Sequence, residues 1–230
     1  EIASEVNLKP TEKLGQNFVI DANTCRKIVD LAIIREADLV IEIGPGLGSL
    51  TLPLLDQAGR VIAVEIDKRL SNRLPITVTE NTADVSKLGI LNLDAMQLTP
   101  SDISNERLNQ YKSVKVVANL PYNVSVPVII NLLERFNQIT EITVMVQTEV
   151  ARRLAAQPGT KDYGAPSVKI AWWADSKIVS NISRKVFWPE PNVDSSLIQL
   201  SVRKSLGDEN LRKICFQIID LAFSTRRKML

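Results

Sequence analysis

The residues Leu39-Val40-Ile41-Glu42-Ile43-Gly44-Pro45-Gly46-Leu47-Gly48 decide the fold of this chain. Their apolar first half is typical of a strand in a parallel sheet that helices cover on both faces. The glycines, in GxGxG spacing, let the backbone turn tightly and approach a ligand closely. Glu65 ends the next predicted strand, where a carboxylate can accept hydrogen bonds from both hydroxyls of a ribose. The pattern predicts a nucleotide-type cofactor loop; the alternative is an ordinary strand-helix turn with a surface glutamate.

Strands and helices alternate on both sides of this loop. A parallel core is predicted from five apolar strands, an antiparallel edge from two late strands, and an irregular segment between the second and third strands. The strands are 39–43, 60–65, 89–93, 114–118, 141–147, 177–183 and 197–202, and the irregular segment is 75–88. Such alternation implies right-handed crossovers and a doubly wound, Rossmann-like α/β sheet. These sheets bind ligands beyond the carboxyl ends of their strands.

Composition narrows the possible chemistry. The chain has 230 residues, 45% of them hydrophobic, a net charge of +2 and no histidine. The lack of histidine excludes the Ser-His-Asp and Cys-His hydrolases and the usual zinc-water enzymes. The two cysteines, Cys25 and Cys215, have no CxxC spacing, and no apolar run reaches membrane-spanning length. We therefore expect a cytoplasmic protein with reduced cysteines, without a metal and without a membrane partner.

A second motif, Asn119-Leu120-Pro121-Tyr122, follows the predicted strand at 114–118. An adenine amino nitrogen is a poor nucleophile because its lone pair is delocalised into the ring. An Asn side-chain oxygen and the Leu120 carbonyl can accept its two N–H bonds and direct the lone pair at a methyl donor. Pro121 stiffens the turn, and Tyr122 offers a face on which a base can stack. The alternative is a proline turn with a buried tyrosine.

Two weaker signals fall in the same order along the chain. Asp94 follows the third predicted strand, where its carboxylate can accept from the amino group of a cofactor adenine; alone, such a residue is more often a turn or cap. Phe187 begins a proline-stiffened loop that can close over the other face of a flipped base. The alternative for that loop is a rigid surface segment with a core aromatic. Together, the motifs indicate methyl transfer from S-adenosylmethionine to an exocyclic nitrogen of a base.

At this point the chain closely resembles the ribosomal RNA adenine dimethyltransferase family. The resemblance covers nearly the whole sequence and rests on motifs at 14–18, 42–48, 65–67, 94–95, 119–125, 147–154 and 187–195. It implies an S-adenosylmethionine site formed by Asn17, Val19, Glu42, Gly44, Gly46, Glu65, Asp94, Ala95 and Asn119, with Glu42 near the methionine end. It also implies that Tyr122 and Phe187 sandwich the target adenine.

The resemblance implies a substrate as well. We expect two adjacent adenines in a hairpin near the 3′ end of small-subunit rRNA, in the immature small ribosomal subunit, each dimethylated at N6 by a monomeric enzyme. Rival interpretations are a large-subunit methyltransferase of the macrolide-resistance type and an RNA-binding assembly or transcription factor on the same fold. Asn119–Tyr122 together with Pro127 favours the small-subunit type. We expect a methyltransferase domain over 1–204, with an N-terminal arm at 1–20, and the start of a C-terminal helical domain, cut short, over 205–230.

Overall fold

The computed structural model of this protein describes residues 17–81 and 83–224, without the side chains of residues 105 and 106. Within these ranges one seven-stranded sheet has the order β4-β3-β2-β5-β6-β9-β7, and β1 pairs with β8 in a separate antiparallel ribbon. The strands are β1 Phe18–Val19, β2 Asp38–Ile43, β3 Arg60–Val64, β4 Leu88–Leu91, β5 Ser113–Asn119, β6 Ile139–Gln147, β7 Ala174–Ile182, β8 Phe187–Trp188 and β9 Ser195–Val202. The predicted α/β class with a doubly wound sheet is confirmed.

Helices connect these strands and cover the sheet. They are α1 Ala22–Leu31, α2 Thr51–Gln57, α3 Lys68–Glu80, α4 Pro100–Ile103, α5 Asn105–Gln110, α6 Ser125–Arg135, α7 Thr148–Leu154, α8 Ala165–Ile170 and α9 Glu209–Ser224. The first of them begins where the Asp21 side chain accepts a hydrogen bond from the Thr24 N–H, a normal N-cap. No helix in the described part of the chain is long and apolar enough to cross a membrane.

The centre of the sheet positions the site. All six residues of β2 are buried, and the strand runs parallel to β3 on one side and to β5 on the other. The connections from β2 lead through β3 to β4, and the chain then crosses back to β5. This reversal makes a topological switch point between the carboxyl ends of β2 and β5, where such sheets bind their ligands.

The other half of the sheet ends in antiparallel strands, as predicted. Strand β9 lies between β6 and β7 and pairs antiparallel with both, so Ser195 at its start is opposite Gln147 and Ile182 at their ends. Because β6 and β7 both end where β9 begins, these three strand ends lie on the same edge as the carboxyl end of β5. Residues after β5, β6 and β7 therefore share one surface.

One sequence-based expectation was wrong. Residues 75–88 were predicted to be irregular, yet helix α3 continues through Pro75 to Glu80. Proline inside a helix removes a backbone hydrogen bond and typically costs about 3 kcal/mol. Leu74 and Val78, on either side of Pro75, are nearly inaccessible to solvent. Burial of this apolar face against the sheet outweighs the local preference of the proline.

Helix α9 packs against helix α8 and against Trp173, which lies in the segment after α8. The ring of Phe216 lies 5.4 Å from that of Trp173, edge to face, and Lys169 forms a 2.6 Å ion pair with Asp220. The Arg212 guanidinium lies over the Trp173 ring and pairs with Glu134. The division into domains at residues 204 and 205 stays a prediction, and its parts at residues 1–16 and 225–230 lie outside the described residues.

Candidate active site

A cavity opens at the carboxyl ends of β2, β3, β4 and β5, at the switch point. It brings together every residue predicted for the cofactor and three of the four motif residues that were predicted only for the target base. These are Asn17, Val19, Glu42, Gly44, Gly46, Glu65, Asp94, Ala95 and Asn119 for the cofactor, and Leu120, Pro121 and Tyr122 for the base. Phe187 does not line the cavity.

The glycine loop forms one wall because its backbone takes a conformation that other residues avoid. Gly44 and Gly46 have φ angles of 68° and 58°, in the left-handed region. A Cβ atom on Gly46 would lie 2.8 Å from Cδ1 of Phe18, closer than such atoms approach. No side chain fits between this loop and the Phe18 ring, so backbone rather than side chains faces the cavity at Gly46.

Glu65 lies at the end of β3 with its carboxylate held by backbone groups. Oε2 accepts a 3.2 Å hydrogen bond from the Gly46 N–H, and Oε1 accepts a 2.9 Å bond from the Asp67 N–H. Burial raises the pKa of this carboxyl, and the backbone hydrogen bonds partly oppose that shift. The Asn92 amide donates to the Glu65 carbonyl at 2.7 Å, so side chain and backbone are both fixed at the cavity wall. Further lone pairs of this carboxylate suit a ligand with vicinal hydroxyls.

Glu42 is the most deeply buried carboxyl of the site, with 1% of the residue exposed. Its Oε2 atom has no hydrogen-bond partner among the described residues. Burial raises the pKa of Glu42 to about 8, and the nearby Glu65 charge adds to this shift. The Thr51 hydroxyl lies close enough to oppose the shift in part, although it forms no hydrogen bond of normal geometry. A buried oxygen without a partner in a cavity wall suits a ligand that brings a hydrogen-bond donor.

Asp94 and Ala95 form the opposite wall, after β4. The Asp94 Oδ1 atom accepts a 2.9 Å hydrogen bond from the Met96 N–H, which orients the carboxylate. The Asn131 side chain of helix α6 donates to the Ala95 carbonyl at 3.2 Å and ties this loop to the helix. The carboxylate can accept from an amino group, as predicted for the adenine end of a cofactor.

Asn119 ends β5 at the meeting point of the two halves of the site. Its Nδ2 atom donates a 2.7 Å hydrogen bond to the Asn17 carbonyl, which leaves Oδ1 as an acceptor. The next residue, Leu120, is buried, and its N–H donates to the Met145 carbonyl at 3.1 Å. A turn follows, closed by the Val124 N–H on the Pro121 carbonyl at 3.3 Å. The motif is therefore anchored to β6 and to the segment before β1.

Tyr122 reaches from this turn to the start of β9. Its hydroxyl lies 2.8 Å from Oγ of the buried Ser195. Burial raises the pKa of Tyr122, the Ser195 hydrogen bond partly opposes that shift, and the charge of Asp194 adds to it. The phenol is thus neutral at physiological pH, and its hydroxyl contact holds the ring in place.

Phe187 lies behind the site rather than in it. It is 3% exposed and belongs to a core cluster that includes Val19, Ile182 and Leu197. Its neighbour Trp188 is 39% exposed and stacks on Phe18 with 6.2 Å between ring centroids. The predicted contact of Phe187 with a base therefore stays a prediction that requires the ring to leave this cluster.

The cavity also contains residues that the sequence interpretation did not assign. Phe18, Leu47, Ile66, Leu70, Leu93 and Met96 add an apolar lining. The sequence contained one signal, since Ile66 follows Glu65 directly. In the structure Ile66 is an exposed large apolar side chain. An exposed apolar residue beside a candidate ribose acid indicates a surface on which a flat base can rest. Within the described residues, no group of three or more potential metal ligands occurs.

The Rossmann-like sheet, the glycine loop and the acid at the next strand end define a class I methyltransferase, which uses S-adenosylmethionine. Residues 7–230 match the model of the family described as ribosomal RNA adenine dimethylase, and the chain belongs to that family.

Individual proteins with similar sequences or structures support this assignment to the family. The ribosomal RNA small subunit methyltransferase A of Leifsonia xyli is 48% identical over 232 residues, covering 100% of this chain and 80% of the relative. A dimethyladenosine transferase from Plasmodium falciparum superimposes with a TM-score of 0.75 at 25% identity, covering 93% of this chain and 73% of the other. The 23S rRNA methyltransferase ErmE superimposes with a TM-score of 0.72 at 25% identity, covering 90% and 79%.

Proposed function

We propose that this enzyme transfers methyl groups from S-adenosylmethionine to N6 of two adjacent adenines in a hairpin near the 3′ end of small-subunit rRNA. The product is N6,N6-dimethyladenosine, formed during ribosome biogenesis. The observation that carries the proposal is the Asn119 amide, whose Oδ1 is kept as an acceptor at the junction of the cofactor cavity and the Tyr122 turn.

The cavity residues fit the cofactor in chemistry and in shape. Glu65 would accept from the ribose hydroxyls, Asp94 from the adenine amino group, and the orphaned Oε2 of Glu42 from a donor at the methionine end. At Gly46 the Phe18 ring takes the space that a Cβ atom would need, so only backbone lines the cavity there. When bound here, S-adenosylmethionine supplies an electrophilic methyl group on a sulfonium sulfur.

The residues around Asn119 would prepare the adenine amino group as a nucleophile. Oδ1 of Asn119 and the Leu120 carbonyl would accept its two N–H bonds, which draws the nitrogen lone pair out of conjugation with the ring. The Tyr122 ring would stack on the base, held by its hydroxyl contact with Ser195. Because the methyl donor is already activated, alignment of this kind supplies most of the catalysis.

The choice of ribosomal subunit rests on similarity. The relative named for the small subunit is 48% identical to this chain, whereas the 23S rRNA enzyme is 25% identical. The Asn-Leu-Pro-Tyr motif, followed by Pro127 in helix α6, also favours the small-subunit type. The partner is therefore rRNA of the immature small subunit, and we propose that a monomer acts on it in the cytoplasm.

The test is methyl transfer from labelled S-adenosylmethionine to purified small and large ribosomal subunits that lack these modifications. We expect dimethyladenosine at two adjacent positions near the 3′ end of the small-subunit rRNA, and no label in the large subunit. Asn119→Ala is the inactive control, because it removes the acceptor and keeps most of the cofactor contacts. Label confined to the large subunit, or near-normal turnover by Asn119→Ala, would contradict the proposal.

A further inference from the structure

A second, shallower cavity lies on the same sheet edge, beyond the target-base site. It occupies the ends of β6 and β7 and the start of β9 and is lined by Thr148, Arg152, Asn181, Ile182, Ser183 and Asp194. We name it the flanking cavity. It adjoins the catalytic site through Ser195, which contacts the Tyr122 hydroxyl at 2.8 Å and pairs in the sheet with Ile182. Strand β9 lies between β6 and β7, so two strand spacings of about 4.8 Å separate the two strands that flank this cavity.

The Asn181 amide in this cavity is held in one orientation by a chain of hydroxyl groups. The hydroxyls of Thr148 and Ser196 lie 3.0 Å apart, and Ser196 Oγ donates to Asn181 Oδ1 at 3.1 Å. Ser196 is completely buried. The Nδ2 atom of Asn181 has no acceptor in the part of the chain that the structure describes. A buried relay thus fixes an exposed amide, with its donor and one oxygen lone pair open to a ligand.

The arginine of the flanking cavity differs from its neighbours. Arg153 pairs with Glu149, and Arg184 pairs with Glu190 at 2.9 Å. Arg152, on the same helix α7 as Arg153, has no ion-pair partner within the described ranges. An exposed guanidinium beside an amide and the Asp194 carboxylate presents donors and acceptors together. The Asp194 charge disfavours a free anion, whereas a nucleotide offers both a phosphate and a base edge.

We propose that the flanking cavity holds the adenine next to the one that reacts, and that Asn181 recognises its edge while Arg152 contacts its phosphate. This inference rests on the proposed function, which requires two adjacent adenines to take turns in one catalytic site. An asparagine amide pairs with adenine in two-point fashion, donating to a ring nitrogen and accepting from the amino group. Arginine is the usual partner of backbone phosphates. Asp194 provides a second acceptor for the amino group.

The layout of the sheet supports this division of the substrate. Strands β2, β3 and β4 carry the cofactor residues, β5 carries Asn119 and Tyr122, and β6, β9 and β7 carry the flanking cavity. Because cofactor residues occupy the edge on the other side of β5, RNA adjoining the target base is directed toward β6 and β7. The flanking cavity lies at this part of the edge.

The test compares small subunits carrying the natural pair of adenines with subunits in which one adenine of the pair is replaced by guanine. For the wild-type enzyme we expect kcat/KM on the remaining adenine to fall about 10-fold with the guanine neighbour, the size of one base-edge contact. Asn181→Asp keeps the acceptor for Ser196 but replaces the Nδ2 donor. It should reduce this preference to about 2-fold or less, a loss worth one such hydrogen bond.

Arg152→Ala and Arg153→Ala form a matched pair, since each removes one positive charge from the same helix. Arg152→Ala should lower kcat/KM about 10-fold on both substrates, and Arg153→Ala should change it less than about 2-fold. Equal losses in the two variants, or a wild-type enzyme indifferent to the neighbouring base, would overturn the inference. So would an unchanged preference in Asn181→Asp.

Cofactor affinity, measured by calorimetry, should be the same in all these variants, because none of the substituted residues lines the cofactor cavity. If Asn181→Asp loses cofactor affinity, its fold is damaged. The comparison of Arg152→Ala with Arg153→Ala then tests the inference by itself. Absence of any transfer by the wild-type enzyme to either substrate would instead refute the proposed function, and this inference with it.

Discussion

Glu42→Gln should make the unfolding free energy of this protein less sensitive to pH. The residue is 1% exposed, and one of its carboxylate oxygens has no partner among the residues that the structure describes. Burial raises its pKa from 4.5 to about 8. The folded protein therefore keeps the Glu42 proton at neutral pH, whereas the unfolded chain releases it above its ordinary pKa. Between these two values the folded state binds more protons, so stability falls as the pH rises. Glutamine has the same shape and no proton to lose.

The size of the effect follows from the shift. Each pH unit between the two pKa values lowers the free energy of unfolding by about 1.4 kcal/mol. From pH 5 to pH 7.5 the wild-type protein should thus lose about 3 kcal/mol relative to Glu42→Gln. Above pH 8 the difference between the two proteins should stay constant, because both states of the wild type are then ionised at this position.

Urea unfolding of both proteins without cofactor, at pH 5, 6, 7 and 8, measures this difference. Glu149→Gln is the matched control, because it removes a carboxylate that is 72% exposed and remote from the cavity. A pH-independent difference between wild type and Glu42→Gln would refute the reasoning, since it would mean that the buried carboxyl ionises at the same pH in both states. A difference that grew in the opposite direction would do the same.

Three further substitutions test the site itself. Asn119→Ala should reduce the single-turnover rate of methyl transfer by about 100-fold or more, the usual cost of removing one group that stabilises a transition state. Calorimetry should show nearly unchanged cofactor affinity. A loss of affinity without a loss of rate would contradict the role assigned to Asn119. Glu65→Gln should weaken cofactor binding about 10-fold or more, because an amide replaces a charged acceptor; affinity equal to the wild type would remove Glu65 from the site. Gly46→Ala should destabilise the fold by about 1–3 kcal/mol in urea unfolding, because residue 46 has a positive φ and the new Cβ atom would clash with the Phe18 ring. An unchanged urea midpoint would show that the loop relaxes freely.

Much of this site was predictable because its signals are local. The apolar run before Gly44 and the GxGxG spacing specify a strand, a tight turn and a helix within about twenty residues. The motif at Asn119 follows the same logic at the end of β5. Once the alternation of strands and helices indicates a parallel sheet, both motifs must lie on its carboxyl edge. The strand order of the structure, in which β2 and β5 are neighbours, then brings the two motifs together.

The remainder depends on contacts between residues far apart in sequence. The bond from Asn119 to the Asn17 carbonyl joins residues 102 positions apart, and the contact of Tyr122 with Ser195 spans 73. The sequence left two interpretations of Phe187 open, a ring that closes over a base and a core aromatic. In the structure the ring lies in the core, because the pairing of β8 with β1 turns it inward and Trp188 outward. Such choices are settled by the register of distant strands, which a single sequence does not reveal.

The hydrogen bond between Asn119 and the Asn17 carbonyl has a consequence for base selectivity. Exchanging the positions of Oδ1 and Nδ2 would break that bond, so the carboxamide keeps its acceptor Oδ1 in place. Hypoxanthine differs from adenine by an oxygen in place of the amino group, and it would bring an acceptor to face acceptors. We expect subunits with inosine at the target positions to be neither methylated nor inhibitory, and tight competitive binding by such subunits would contradict this. The Asn17 carbonyl, far from Asn119 in sequence, thereby helps the site to discriminate amino from keto bases.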